Sequence, residues 1–131
     1  VSQCLYAGCG VMNLTPVFGW YYFSLDNRTP SWSATEYLYD FLTANEGPGP
    51  FGRELPLRCA QPGDIIQLSF DGELFSHSLL VVWVGRNTAL RNIRVAAHSD
   101  DSFNRPLSTY YFRLARLIHI DGARDAAGAL T

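Results

Sequence analysis

The chain reads as an α+β domain. Two helix-compatible segments come first, and four strand-length segments joined by short loops follow them. Short loops between consecutive strands favour antiparallel pairing, and helices segregated ahead of such a meander pack on one face of the sheet. With 131 residues, the chain forms one domain large enough to bury a core without disulfide or metal staples.

The opening segment, Val1 to Ala7, has the character of later helical turns, and Gly8 or Gly10 supplies the left-handed C-cap that ends it. An aromatic run, Phe18 to Phe23, leads through the turn formers Asp26, Asn27 and Pro30 to the second helix. Ser33 and Glu36 have capping-box spacing, Tyr37, Leu38, Phe41 and Leu42 recur at helical intervals, and the pattern stops near Asn45. Gly47, Pro48, Gly49, Pro50 and Gly52 then predict a surface connection that propagates neither helix nor strand.

Everything beyond reads as sheet. Strands are expected over Asp64 to Phe70, His77 to Val84, Ile93 to His98 and Arg113 to Ile120, each rich in β-branched or aromatic residues. Turns at Asp71-Gly72, Gly85-Arg86-Asn87 and Pro106 separate them. The domain is expected over residues 1–120, with residues 121–131 a small, polar, frayed tail.

Composition excludes some functions. Ten basic against twelve acidic residues give a formal charge of -2, the wrong sign for a phosphate-backbone binder, so nucleic acid is not an expected partner. The longest apolar run, Leu79 to Val84, is strand-sized, far short of the roughly 20 residues of a membrane span. Cys4, Cys9 and Cys59 make no CxxC pair, and an odd count leaves at most one bridge. Val1 stands in helix-compatible sequence with neither cap nor signal segment before it, from which an upstream part is expected.

The residues able to carry acid-base chemistry near neutral pH are His77, His98 and His119. His77 opens a strand, so its ring has a rigid mount at the sheet edge, although a histidine that merely caps a strand has the same pattern. His98 ends the next strand beside Ser99, Asp100 and Asp101, acceptors able to fix its tautomer. Antiparallel pairing of these strands makes His77 and His98 neighbours, either a base with its orienting partner or two metal ligands. For a metal, Asp64, Asp100, Asp101 or a cysteine would have to complete the set, and none stands at a recognised ligand spacing. No cofactor or metal is therefore expected. His119, with only Asp121 nearby in sequence, reads as structural.

No Gly-x-Ser-x-Gly elbow is present to support a serine nucleophile. Cys4 falls within a helix on its apolar side, where a thiol is ordinarily core filler, and Cys59 lies in a loop before Pro62. The rings of Trp20, Tyr21, Tyr22, Trp32, Tyr37 and Tyr39 fit core packing more readily than a sugar or peptide groove. Trp32, in the loop before the helix, is the candidate substrate-binding residue.

Several runs agree in order with a known family. Val1-Ser2-Gln3-Cys4-Leu5-Tyr6-Ala7-Gly8, Gly19-Trp20, Pro30-Ser31-Trp32, Pro62-Gly63-Asp64-Ile65-Ile66-Gln67, His77-Ser78-Leu79 and Ala97-His98-Ser99-Asp100 together resemble the putative amidase domain of bacterial proteins. That family looks related to the NlpC/P60 and CHAP cysteine peptidases. The resemblance implies a papain-like fold, with a nucleophilic cysteine in an Asp-Cys-Ser/Thr-x-Phe-Val run whose last valine corresponds to Val1. A helix N-terminus suits such a thiol because the dipole favours the thiolate. Cys4, about seven residues or roughly 10 Å further along the helix axis, is badly placed to replace it.

By the same resemblance, His77 corresponds to the general base, His98 to the third, orienting residue, and Asp64 to a structural turn. The implied activity is amide hydrolysis by acyl transfer, with the present chain inert because its nucleophile lies upstream. The implied substrate is a peptide or peptidoglycan-like amide in a secreted or cell-envelope setting, with partner domains in a longer parent. The rival expectation is a non-catalytic module that uses its aromatic groove to hold a glycan or peptide.

Overall fold

The structure is a computed structural model, and it describes residues 1–87, 89–97 and 102–131. Its architecture is α+β: among the described residues, three α-helices and an antiparallel β-sheet, as expected from the order of segments. The chain divides into two compact units, one of Glu54–His119 with Val1, the other of Ser2–Arg53 with Ile120–Thr131.

The unit Glu54–His119 is built around four segments of alternating apolar sequence. They form β4 (Ile65–Ser69), β5 (His77–Val84), β6 (Ile93–Ala97) and β8 (Leu114–Arg124), the last contributing its residues up to His119. An additional strand, β7 (Ser102–Pro106), pairs with β6 and was not anticipated. The spatial order is β8-β4-β5-β6-β7, so the last strand in sequence inserts beside β4. Ile66 pairs with Leu79 on one side and Leu117 on the other, and Leu68 pairs with His77 and Ala115. Because strand side chains alternate, Ile66 and Leu68 share one face with Leu79, Val81 and Leu117, and these join Ile93, Val95 and Leu107 in the core. All five residues of β4 are buried, as befits a strand paired along both edges.

The other unit holds the helices. The first, α1 (Ser2–Cys9), stops where expected: Gly10 takes φ 71° and its N–H reaches back to the Tyr6 carbonyl at 2.7 Å. The aromatic run forms a small hairpin, β1 (Tyr22–Ser24) with β2 (Asn27–Arg28), closed by Asp26 and its neighbours. Two helices follow, α2 (Pro30–Ser33) and α3 (Thr35–Ala44). The expected capping box is not formed. Ser33 is the last residue of α2, and the extended Ala34 occupies the N-cap of α3 with no side-chain bond, so the hydroxyl is one position too early.

Two other expectations are corrected here. The Gly-Pro stretch belongs in part to a strand, β3 (Gly49–Leu55), in which Gly49 and Pro50 are buried. An edge strand tolerates proline because one of its rows of N–H groups has no ladder partner to lose, and β3 is an edge strand. β8 also runs past Ile120 to Arg124, and the residues beyond it turn back: Thr131 N–H bonds the Ala123 carbonyl at 3.0 Å.

Candidate active site

His77 is the first residue of β5, directly opposite Leu68, and half-buried. The β4 ladder fixes its backbone, and its ring meets Phe70 edge-on, with centroids 5.1 Å apart and planes at 81°. Such packing restricts the imidazole to few orientations, as a general base requires. The turn before it is also held: the Asp71 carboxylate accepts the N–H groups of Glu73 at 2.7 Å and Leu74 at 2.9 Å, and the Ser69 hydroxyl at 3.1 Å. These bonds, the backbone N–H of Glu73 foremost, hold the Asp71 carboxyl below its ordinary range.

His98 lies outside the described residues. β5 and β6 do pair antiparallel, with Leu80 opposite Ala96, so the strand that leads to His98 runs back along β5 toward its His77 end.

A second imidazole, His119, has only Asp121 near it in sequence, and the fold gives it a different neighbour. Antiparallel pairing of β4 and β8, with Ile65 opposite Ile118, brings Asp64 across from His119. His119 Nδ1 and Asp64 Oδ1 lie 2.9 Å apart. Asp64 is only 2% exposed, and its other oxygen accepts the Gln61 N–H at 3.0 Å. The turn ahead of it uses Gly63 at φ 96°, where a side chain would be strained. Asp64 thus has the structural turn role expected of it and also orients an imidazole. His77 and this pair share one face of β4 but stand four residues apart along it, roughly 13 Å by strand rise. They do not form one constellation.

The opposite face of β4 carries a polar group that the sequence reading did not single out. Gln67 is fully buried; its side-chain N–H donates to Ser78 Oγ at 3.1 Å and its carbonyl accepts from Arg116 Nε at 2.9 Å. The Arg116 guanidinium lies over Phe75, 4.0 Å from the ring centroid. The register that places Gln67 between Ser78 and Arg116 is the only signal for this group, and it needs the strand order as well as the sequence.

In the other unit, Trp32 packs into an aromatic stack, 4.7 Å from Trp20, 5.9 Å from Tyr22 and 6.2 Å from Tyr6 between centroids. Its carbonyl accepts the Ser2 hydroxyl at 2.7 Å. Trp32 is half-buried there and is not among the residues lining the cavity described below.

Cys4, Cys9 and Cys59 are free thiols. Cys4 is exposed, contrary to the core-filler expectation, because Ser2 is the residue that α1 buries. Among the described residues, no three histidine, cysteine or acidic side chains gather as metal ligands. Among them also, no helix is long and apolar enough to cross a membrane.

The sheet of this α+β domain thus carries a half-buried imidazole at a strand start and a second imidazole held by a buried carboxylate. The chain belongs to the family described as "Putative amidase domain", which it matches over residues 1–120. Membership assigns it, at that level, to hydrolases acting on amides. No curated protein and no solved structure matches it.

Proposed function

We propose that the domain, in its full-length parent, hydrolyses amide bonds by acyl transfer to a cysteine thiolate supplied ahead of Val1, and from it to water. The observation that carries this reading is the family match across residues 1–120. The thiolate attacks the amide carbonyl, the C–N bond breaks as the His77 imidazolium returns a proton to the leaving amine, and water then releases the acyl group with His77 as base. His98 orients the His77 ring. We further propose, from the sequence resemblance to NlpC/P60 and CHAP peptidases, that the substrate is a peptide, and we assign the activity to cell-wall peptides in a secreted or envelope-bound bacterial protein. The rigid mount of His77 on β5, and Phe70 at its edge, suit the base role.

A second reading is favoured by one contact. His119, held at Nδ1 by the buried Asp64 carboxylate, has the base-and-orienter arrangement that acyl transfer needs. The two readings separate by mutagenesis in the parent protein, assayed on peptidoglycan fragments. In the first, His77→Ala lowers kcat/KM by about 10²- to 10⁴-fold while His119→Ala leaves it nearly intact. The second reverses the pattern. Alkylation of the upstream thiol abolishes turnover in both, and full activity after alkylation removes the thiol mechanism altogether.

A further inference from the structure

The unit Ser2–Arg53 with Ile120–Thr131 contains a cavity of about 460 Å³, within the range of small-ligand sites. Three of its lining residues, Tyr37, Asp40 and Phe41, lie at helical intervals on one side of α3. Phe41 is a buried wall, stacked on Trp20 with centroids 5.9 Å apart. Tyr37, Val17 and Phe18 are also lining residues, yet Phe18 is 85% exposed, an unusual position for a phenylalanine with nothing to cover it.

The charge of the lining is one-sided. Asp40 and Glu46 are both exposed lining residues, and among the described residues the lining includes no lysine, arginine or histidine. Both follow the middle of α3 toward its C-terminus, the negative end of the helix dipole, and the last turn of α3 has no basic residue. Arg124, which reaches the end of this helix, donates to the Asn45 carbonyl at 3.0 Å and lies over Phe51, 3.9 Å from the ring centroid. An occupant that satisfies this site has an apolar body for the rings and a positive head for the carboxylates.

We propose that the cavity binds a peptide segment presenting a lysine side chain between apolar residues. The four-carbon stem lies along Tyr37, Phe18 and Phe41, and the ammonium reaches Asp40 and Glu46 while keeping water contact. A metal ion would leave the aromatic surface uncovered. A purely apolar ligand would leave the two carboxylates uncompensated. The inference rests on the cavity and its charge alone, and stands or falls independently of which residue performs amide hydrolysis.

Isotope-labelled protein titrated with Ac-Leu-Lys-Leu-NH₂, and with the same peptide carrying norleucine or glutamate at the centre, tests it by chemical-shift mapping. The expected result is saturable shifts confined to amides around Tyr37, Asp40, Phe41 and Glu46, with the norleucine peptide at least about fivefold weaker. Raised salt weakens the lysine peptide and leaves the norleucine peptide unchanged. The double variant Asp40→Asn/Glu46→Gln, at two exposed positions, brings the lysine peptide down to the norleucine level. Equal binding of the lysine and norleucine peptides, shifts centred elsewhere, or no saturable shift at millimolar peptide each overturns the proposal.

Discussion

The two units are held together by different chemistry. In Glu54–His119 the core is aliphatic and repetitive: Ile66, Leu68, Leu79, Val81, Val95 and Leu117 come from neighbouring strands and interlock across a regular ladder. In Ser2–Arg53 the buried centre is a stack of large rings wired by small polar side chains. Ser2 Oγ donates to the Trp32 carbonyl and accepts from Trp20 Nε1 at 3.0 Å, and Ser31 Oγ donates to the Gly19 carbonyl at 2.6 Å. Asn45 serves three backbone groups, donating to the carbonyls of Pro48 and Pro50 and accepting from the Gly47 N–H. A ladder shares its load over many equivalent bonds, whereas a wired loop region depends on single hydroxyls and amides whose loss leaves a buried group without its partner.

The contrast can be tested from both sides. Leu79→Ala, in the fully buried middle of the sheet, is expected to cost about 2–5 kcal/mol, read as a lower urea midpoint at unchanged slope. A cost near zero would mean that the sheet core is loosely packed and the comparison misdrawn. Ser2→Ala removes only one oxygen, yet it takes the acceptor from the fully buried Trp20 indole and should cost about 1–3 kcal/mol. The accompanying check is the tryptophan emission of a Trp83→Phe background, which leaves Trp20 and Trp32 as reporters and should shift to the red.

Gly49→Ala probes the strand that proline and glycine had disguised. At φ 102° an alanine is strained, and the expected loss is about 1 kcal/mol or slightly more. The smallest effect belongs to Asp71, in the turn before His77. Its carboxyl is held below the ordinary aspartate range in the folded protein, so its contribution is present above the unfolded-state value and is lost as pH falls through the lower folded one. Stability-against-pH curves of wild type and Asp71→Asn should therefore stay a constant distance apart above the usual aspartate range and converge as pH falls below it, with the variant showing the flatter profile. A gap that changes with pH near neutrality instead would assign the titration to another group.

The same division explains what could be read without coordinates. Strands β4, β5 and β8 and helix α3 were legible because each is a run of apolar residues at a fixed period, and His77 at the head of its strand followed from the same pattern. The buried polar wiring was not legible, since Ser2, Thr29 and Ser31 have no period and become meaningful only beside the backbone groups they reach. Strand β3 was hidden because Gly and Pro oppose a strand in general and are tolerated at an edge. The hydrogen bond of His119 to Asp64 joins residues far apart in sequence, and no local signal announces it.

By itself, the sequence determined the α+β class, the periodic elements, the glycine stop of α1 at Gly10 and the position of His77 at the start of β5. All of these are local consequences of side-chain period and backbone freedom. The tertiary structure decided that β8 lies against β4, and with it the Asp64–His119 pair, the Gln67 group between Ser78 and Arg116, and the edge position of β3. Strand order is set by how whole faces bury against one another, a sum over distant residues that no single segment encodes.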